Sequence, residues 1–167
     1  MERVREEPPL GRLMADRGVE ILAVSLARAD YAGLRRILGH SRWKLRRAWN
    51  FRRALAFLRR RPHGVVITEA GRPDASWKDL LAGLARLPVP PNLIVSSRLA
   101  DEQLWAEVLN LGGYDVLLTP FQPEELFRVC SAAWREWKGR VESVAVKARR
   151  RLEPRAAMPV PLAHATP

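Results

Sequence analysis

Two rhythms of apolar residues alternate along the chain. Short apolar runs occur at Val19–Val24 (VEILAV), Gly64–Thr68 (GVVIT), Leu93–Ser96 (LIVS) and Asp115–Leu118 (DVLL). Runs this short and continuous predict strands covered on both faces. Trp43–Ala48 (WKLRRA) alternates instead, which predicts a half-exposed strand. Between the runs, apolar residues recur every three or four positions. Tyr31, Leu34, Ile37 and Leu38 predict a helix from Asp30 to Leu38, ended by Gly39. Asn50 is placed to cap a second helix through Arg61, with Leu55 and Leu58 inward and Pro62 closing it. Ser76 caps a third, to about Leu87, before the stop "PVPP". A fourth runs from Ala100 to Leu111 and ends at Gly112 and Gly113. Pro123 opens the last at its first turn, where Glu124 and Glu125 suit the positive helix end.

Five strands alternating with five helices predict an α/β fold: a five-stranded, doubly wound parallel sheet. Such sheets carry their sites at the carboxyl ends of the strands. Those ends are Ser25 and Leu26, Glu69 and Ala70, Ser96 and Ser97, and Leu118 to Pro120. Residues 1–18 lack periodicity and are expected to be a disordered leading segment. The domain is expected over 19–140, with a basic, Pro/Ala-rich tail over 141–167.

Composition narrows the class. The chain has 167 residues, 47% of them hydrophobic, enough for one compact domain with some tail. No apolar run approaches a membrane span of about 20 residues. The charged, Pro/Gly-punctuated start lacks a secretory apolar stretch, and Cys130 is the single cysteine. A cytoplasmic, reducing setting is the expectation. The net charge of +11 is unevenly placed: no acid lies between Asp30 and Glu69, where Arg46, Arg47, Arg52, Arg53, Arg59 and Arg60 fall. A second basic run spans Lys147 to Arg151. Charge alone favours a solvated face; the functional alternative is an acidic partner or nucleic acid.

The stretch "GGYDVLLTPFQPEEL" carries the most specific signal. Together with the five βα units, it resembles the receiver domain of bacterial response regulators, over about Val19 to Trp137. The resemblance implies the flavodoxin-like fold, a signal-transduction role in two-component or phosphorelay pathways, and a cis peptide before Pro120. In that family two acids after the first strand and an aspartate after the third hold magnesium. The aspartate accepts a phosphoryl group, and a hydroxyl after the fourth strand and a lysine after the fifth bond its oxygens.

This chain departs from that pattern at nearly every position. Ser25 and Leu26 stand in place of the acid pair. Glu69, four residues before Pro73, takes the phosphoacceptor-equivalent position. Ser96 or Ser97 supplies the switch hydroxyl, Ser96 by strand register and Ser97 by distance to Gly112. Thr119 replaces the lysine, and Val116 the switch aromatic. A single glutamate is expected to bind magnesium weakly or not at all, since several carboxylates set that affinity. No metal site, cofactor or catalytic residue is therefore expected. Glu69 could mimic a phosphorylated aspartate, being longer and already negative; the plainer reading is a carboxylate left at a vestigial site.

Serine chemistry would need a base. His40 follows the first helix and His63 precedes the third strand, so neither is expected to reach the strand carboxyl ends. Phe127, Cys130, Trp134 and Trp137 form one stripe on the last helix, with Trp134 expected to be the more buried. The resulting expectation is an atypical receiver acting through a signalling protein partner without phosphorylation. A homodimer through the last strand–helix face is one form of it. The alternative is a basic nucleic-acid-associated protein on the same fold, with weak, non-specific binding. No membrane contact is expected.

Overall fold

The computed structural model describes residues 18–72 and 76–152. Five strands, β1 (Glu20–Val24), β2 (Lys44–Ala48), β3 (Val65–Glu69), β4 (Asn92–Ser97) and β5 (Asp115–Leu118), form one sheet in the order β2-β1-β3-β4-β5. Every pairing is parallel. Five helices connect and cover them: α1 (Arg28–Leu38), α2 (Phe51–Arg60), α3 (Trp77–Leu84), α4 (Glu102–Asn110) and α5 (Pro123–Leu152). Among the described residues no helix is long and apolar enough to cross a membrane.

Strand alternation divides the core in two. Ile21, Ala23, Val65, Ile67, Ile94 and Leu117 face α1 and α5, meeting Leu34, Leu38, Leu126, Val129 and Ala133. Leu22, Val24, Val66, Leu93, Val95 and Val116 face α2, α3 and α4, meeting Ala54, Leu58, Leu80, Leu84 and Val108. The three central strands are apolar on both faces for this reason. The edge strand β2 is not, and its Lys44 and Arg46 are exposed.

Local signals set most helix ends. Asn50 caps α2 by accepting from Arg53 N–H at 2.9 Å, and Ser76 caps α3 by accepting from Lys78 N–H at 3.2 Å. Helix α3 stops at Leu84, short of Leu87, with Ala85 as its C-cap. Helix α4 starts at Glu102 rather than Ala100, because the Asp101 carboxylate accepts from Leu104 N–H at 2.8 Å. An alanine has no side-chain acceptor to do this.

Two expectations on α5 need correction. The helix runs to Leu152, so the boundary at 140 falls inside it. Val141 remains buried against the domain; farther along, Val144 and Val146 are exposed beside Lys147 and Arg149 to Arg151. Residues 1–17, Pro73 and the Pro/Ala-rich end lie outside the described residues. The second correction is the order of the tryptophans: Trp137 is the buried one, at 2% exposure, and Trp134 is half-buried. Gly64 decides this. A Cβ there would lie 2.7 Å from Trp137 Cε3, so only glycine leaves room for the indole. Trp137 Nε1 donates to Val89 O at 3.4 Å. Beside it, Arg140 bonds Pro90 O at 3.0 Å and Asn92 Oδ1 at 2.8 Å, and Asn92 Nδ2 donates to Ala133 O at 2.7 Å.

Glycine substitutions test this packing. Gly64→Ala should destabilise the fold by about 1–3 kcal/mol through overpacking against Trp137. Gly33→Ala, in the interior of α1 with open space around the added carbon, should stabilise it by about 0.4–1 kcal/mol. Urea unfolding of both variants against the parent checks the two opposite signs.

Candidate functional site

The chain leaves β1 for β2 on one side and returns across β1 to β3 on the other. The direction of winding changes between β1 and β3, which opens a crevice at their carboxyl ends. Ser25 and Glu69 flank it.

Ser25 follows β1 with φ of 52°, in the left-handed region that non-glycine residues seldom enter. Its N–H donates to Ala48 O at 3.0 Å and its Oγ to Trp49 O at 3.1 Å. The hydroxyl is thus bonded toward β2. Leu26 turns into the core on the α1/α5 side and is 3% exposed. Neither residue of this pair presents a carboxylate to the crevice.

Glu69 is the last residue of β3 and is half-buried. Its Oε2 accepts from Ala27 N–H at 3.0 Å. Ala27 is the N-cap of α1 and has no side chain able to cap, so the carboxylate from β3 serves the helix amino end instead. A negative group there is favoured by the helix dipole and satisfies a donor left over by the helix. Thr68 completes the tie between β3 and β1 by donating its hydroxyl to Val24 O at 3.0 Å.

Sheet register places Ser96 opposite Glu69. Ser96 is fully buried, and its Oγ donates to Thr68 O at 3.2 Å. Ser97 is half-buried, and its Oγ accepts from Leu99 N–H at 3.1 Å. Thr119 is buried, and its N–H donates to Ser97 O at 2.9 Å. The Thr119–Pro120 bond is cis, and Phe121 behind it is buried. Val116 is also buried, on the α2/α3/α4 side.

The residues present do not fit magnesium. Leu26 has no ligand atom, the Ser25 hydroxyl is committed to Trp49 O, and the Glu69 carboxylate is bonded to Ala27. Among the described residues no group of three or more histidines, cysteines or acids is placed to hold a metal ion. The turn at Pro120 is formed while no lysine stands before it and no acid pair follows β1.

Comparison with known proteins fixes the family. The two-component response regulator ORR5 of Oryza sativa subsp. japonica is 31% identical over 129 residues, covering 71% of this chain and 96% of its own. The chain belongs to the two-component response regulators. Its described part is a receiver domain of two-component signalling, a module that interacts with signalling partners. The signal receiver domain of an HD domain-containing protein from Pseudomonas fluorescens Pf-5 is 26% identical, with a TM-score of 0.64, covering 74% of this chain and 99% of that one. A response regulator from Thermotoga maritima shares the fold at a TM-score of 0.63 and 19% identity, covering 71% and 99%. No protein-family model matches.

Other reactive groups of this receiver lie away from the crevice. His63, just before β3, sits at the amino end of the sheet, its Nδ1 2.9 Å from Arg61 O and its Nε2 3.3 Å from Glu20 Oε2. Burial lowers its pKa, against the upward pull of the Arg61 carbonyl and Glu20. Cys130 is buried, which pushes its thiol up to about 12 and leaves it a poor nucleophile.

Two features near the crevice escape the sequence pattern. Asp30, in the first turn of α1, is buried, and its Oδ2 has no hydrogen-bond partner. An acid at four-residue spacing from Leu34 and Leu38 was the available signal, since that stripe faces inward. Arg47 stacks on Tyr31 at 4.3 Å and on Trp49 at 3.7 Å, and donates to Leu26 O at 3.4 Å. Only the fold brings Tyr31 and Trp49 onto one guanidinium.

The Glu69 contact predicts an asymmetry between two substitutions. Glu69→Ala leaves a helix N–H without its acceptor and should cost about 1–3 kcal/mol. Glu69→Gln keeps an acceptor oxygen and should cost less than half as much. Denaturant unfolding of both proteins decides it; equal losses would mean that the bond contributes nothing.

Proposed function

We propose that this receiver acts as a phosphorylation-independent binding module in a bacterial, phosphorelay-type pathway. The observation that carries the reading is the engagement of Glu69. Its carboxylate already bonds the amino end of α1, where a conventional site would keep an acid free for metal and phosphoryl group. Ser25, Leu26 and Thr119 support it, because none supplies the charge that phosphoryl transfer requires around the transferred oxygens. Glu69 holds in place, permanently, what a phosphorylation cycle would switch.

The surface best suited to a partner is the β5 edge with α4. Trp105 is 50% exposed, its Nε1 donating to Asp115 Oδ1 at 3.1 Å, and Leu109, Leu111 and Leu118 are exposed nearby in sequence and fold. An aromatic anchor among aliphatic residues on an edge strand suits a protein contact, to a second copy or to another signalling protein.

Intact-mass measurement after incubation with acetyl phosphate and magnesium should show no added phosphoryl group. A stable, magnesium-dependent adduct on Glu69 would overturn the reading. A protein captured from the native host should survive nuclease treatment. Its affinity should fall roughly 30-fold or more with Trp105→Ala if that residue is a hot spot, a loss of about 2 kcal/mol.

A further inference from the structure

The opposite edge of the sheet has a different chemistry. Strand β2 ends in Ala48, and the next residue, Trp49, is 62% exposed. Its backbone is pinned from β1, since Ser25 N–H bonds Ala48 O and Ser25 Oγ bonds Trp49 O. Its ring is held by Arg47, whose guanidinium is itself placed against Tyr31 and the Leu26 carbonyl. The indole is therefore ordered by its neighbours while most of the residue still meets solvent.

The surroundings are cationic and uncompensated. Arg46 is exposed on β2, and Arg52, Arg53, Arg59 and Arg60 are exposed on α2, which begins two residues after Trp49. None of these five has a carboxylate partner among the described residues. The first turn of α2 contains no acid, so Arg52 and Arg53 add their charge to the positive end of the helix dipole. That arrangement is repulsive in the free protein and favourable only beside an anion. Basic residues on an edge strand can serve merely to block edge-to-edge pairing. Such a role accounts for Lys44 and Arg46; it explains neither the helical arginines nor an exposed, braced tryptophan.

We propose that this edge binds single-stranded nucleic acid, with a base stacked on Trp49 and the flanking phosphates against Arg52 and Arg53. Stacking on an indole needs a base whose π-face is free, which a single strand offers and a duplex does not. The guanidiniums supply the salt-sensitive, sequence-independent part of the attraction. Binding is weak and sequence-tolerant, because one stacking platform and phosphate contacts read no base edges. The proposal is independent of the partner face at β5, since the two lie on opposite edges of the sheet.

Fluorescence anisotropy at low salt, with a labelled oligothymidylate of about 12 nucleotides, tests it directly. Trp49→Ala should weaken binding about 5- to 150-fold, the range for losing one stacked base. Trp49→Phe keeps a ring and should recover most of the affinity, which separates stacking from folding; thermal melts confirm that both variants are folded. The double variant Arg52→Gln, Arg53→Gln should flatten the log–log salt dependence by about 1.4, at about 0.7 per phosphate on a single strand. The proposal fails if no binding is seen at low salt, if Trp49→Ala binds like the parent, or if a duplex of equal length binds as tightly. It fails equally if polyglutamate of matched charge displaces the oligonucleotide as well as unlabelled oligothymidylate does, which would assign the edge to an acidic protein surface.

Discussion

An all-parallel sheet has to be buried on both faces, and the rest of this structure follows from that requirement. Each parallel connection crosses over through a helix, so the helices that join the strands also cover them. Two helices lie on one face and three on the other, each with its own apolar cluster. The apolar character of β1, β3 and β4 on both faces answers this demand, and the basic β2 survives because it stands at an edge. Tight packing then selects individual residues: Gly64 is required beneath Trp137 because an added carbon has nowhere to go.

The same burial shapes the crevice at the carboxyl ends. Several residues at the strand ends are held within the packing. Leu26 joins the core, Ser96 bonds a neighbouring strand, and Thr119 is buried above the cis proline. Glu69 keeps its charge but spends it on the amino end of α1, linking β3 to the helix that leaves β1. The crevice of this signalling domain therefore contributes to cohesion, tying β3 to α1. The two sheet edges are chemically unlike. One presents Trp105 and Leu118 with aliphatic neighbours; the other presents Trp49 among unpaired arginines.

The sequence by itself determined the element order, the parallel fold, and the caps at Asn50 and Ser76; the resemblance added the turn at Pro120. Those signals are local: apolar period, a capping oxygen or a proline acts within a few residues of where it stands. It also located the carboxyl ends of the strands, which follow from the order of elements. Three things needed the tertiary structure. Trp134 and Trp137 lie three residues apart on one stripe, and which of them is buried is set by contacts far off in the chain, where Trp137 packs over Gly64 and bonds Val89 O. Helical periodicity past residue 140 is masked by lysine and arginine, and only the structure shows Val141 packing against the domain and α5 continuing to Leu152. The partner of the Glu69 carboxylate is a backbone N–H, and backbone donors carry no mark in a sequence; only strand pairing and the direction of α1 bring Ala27 within 3.0 Å. Contacts between residues distant in the chain are decided by how the layers pack, and that is the part of this protein the sequence left to the fold.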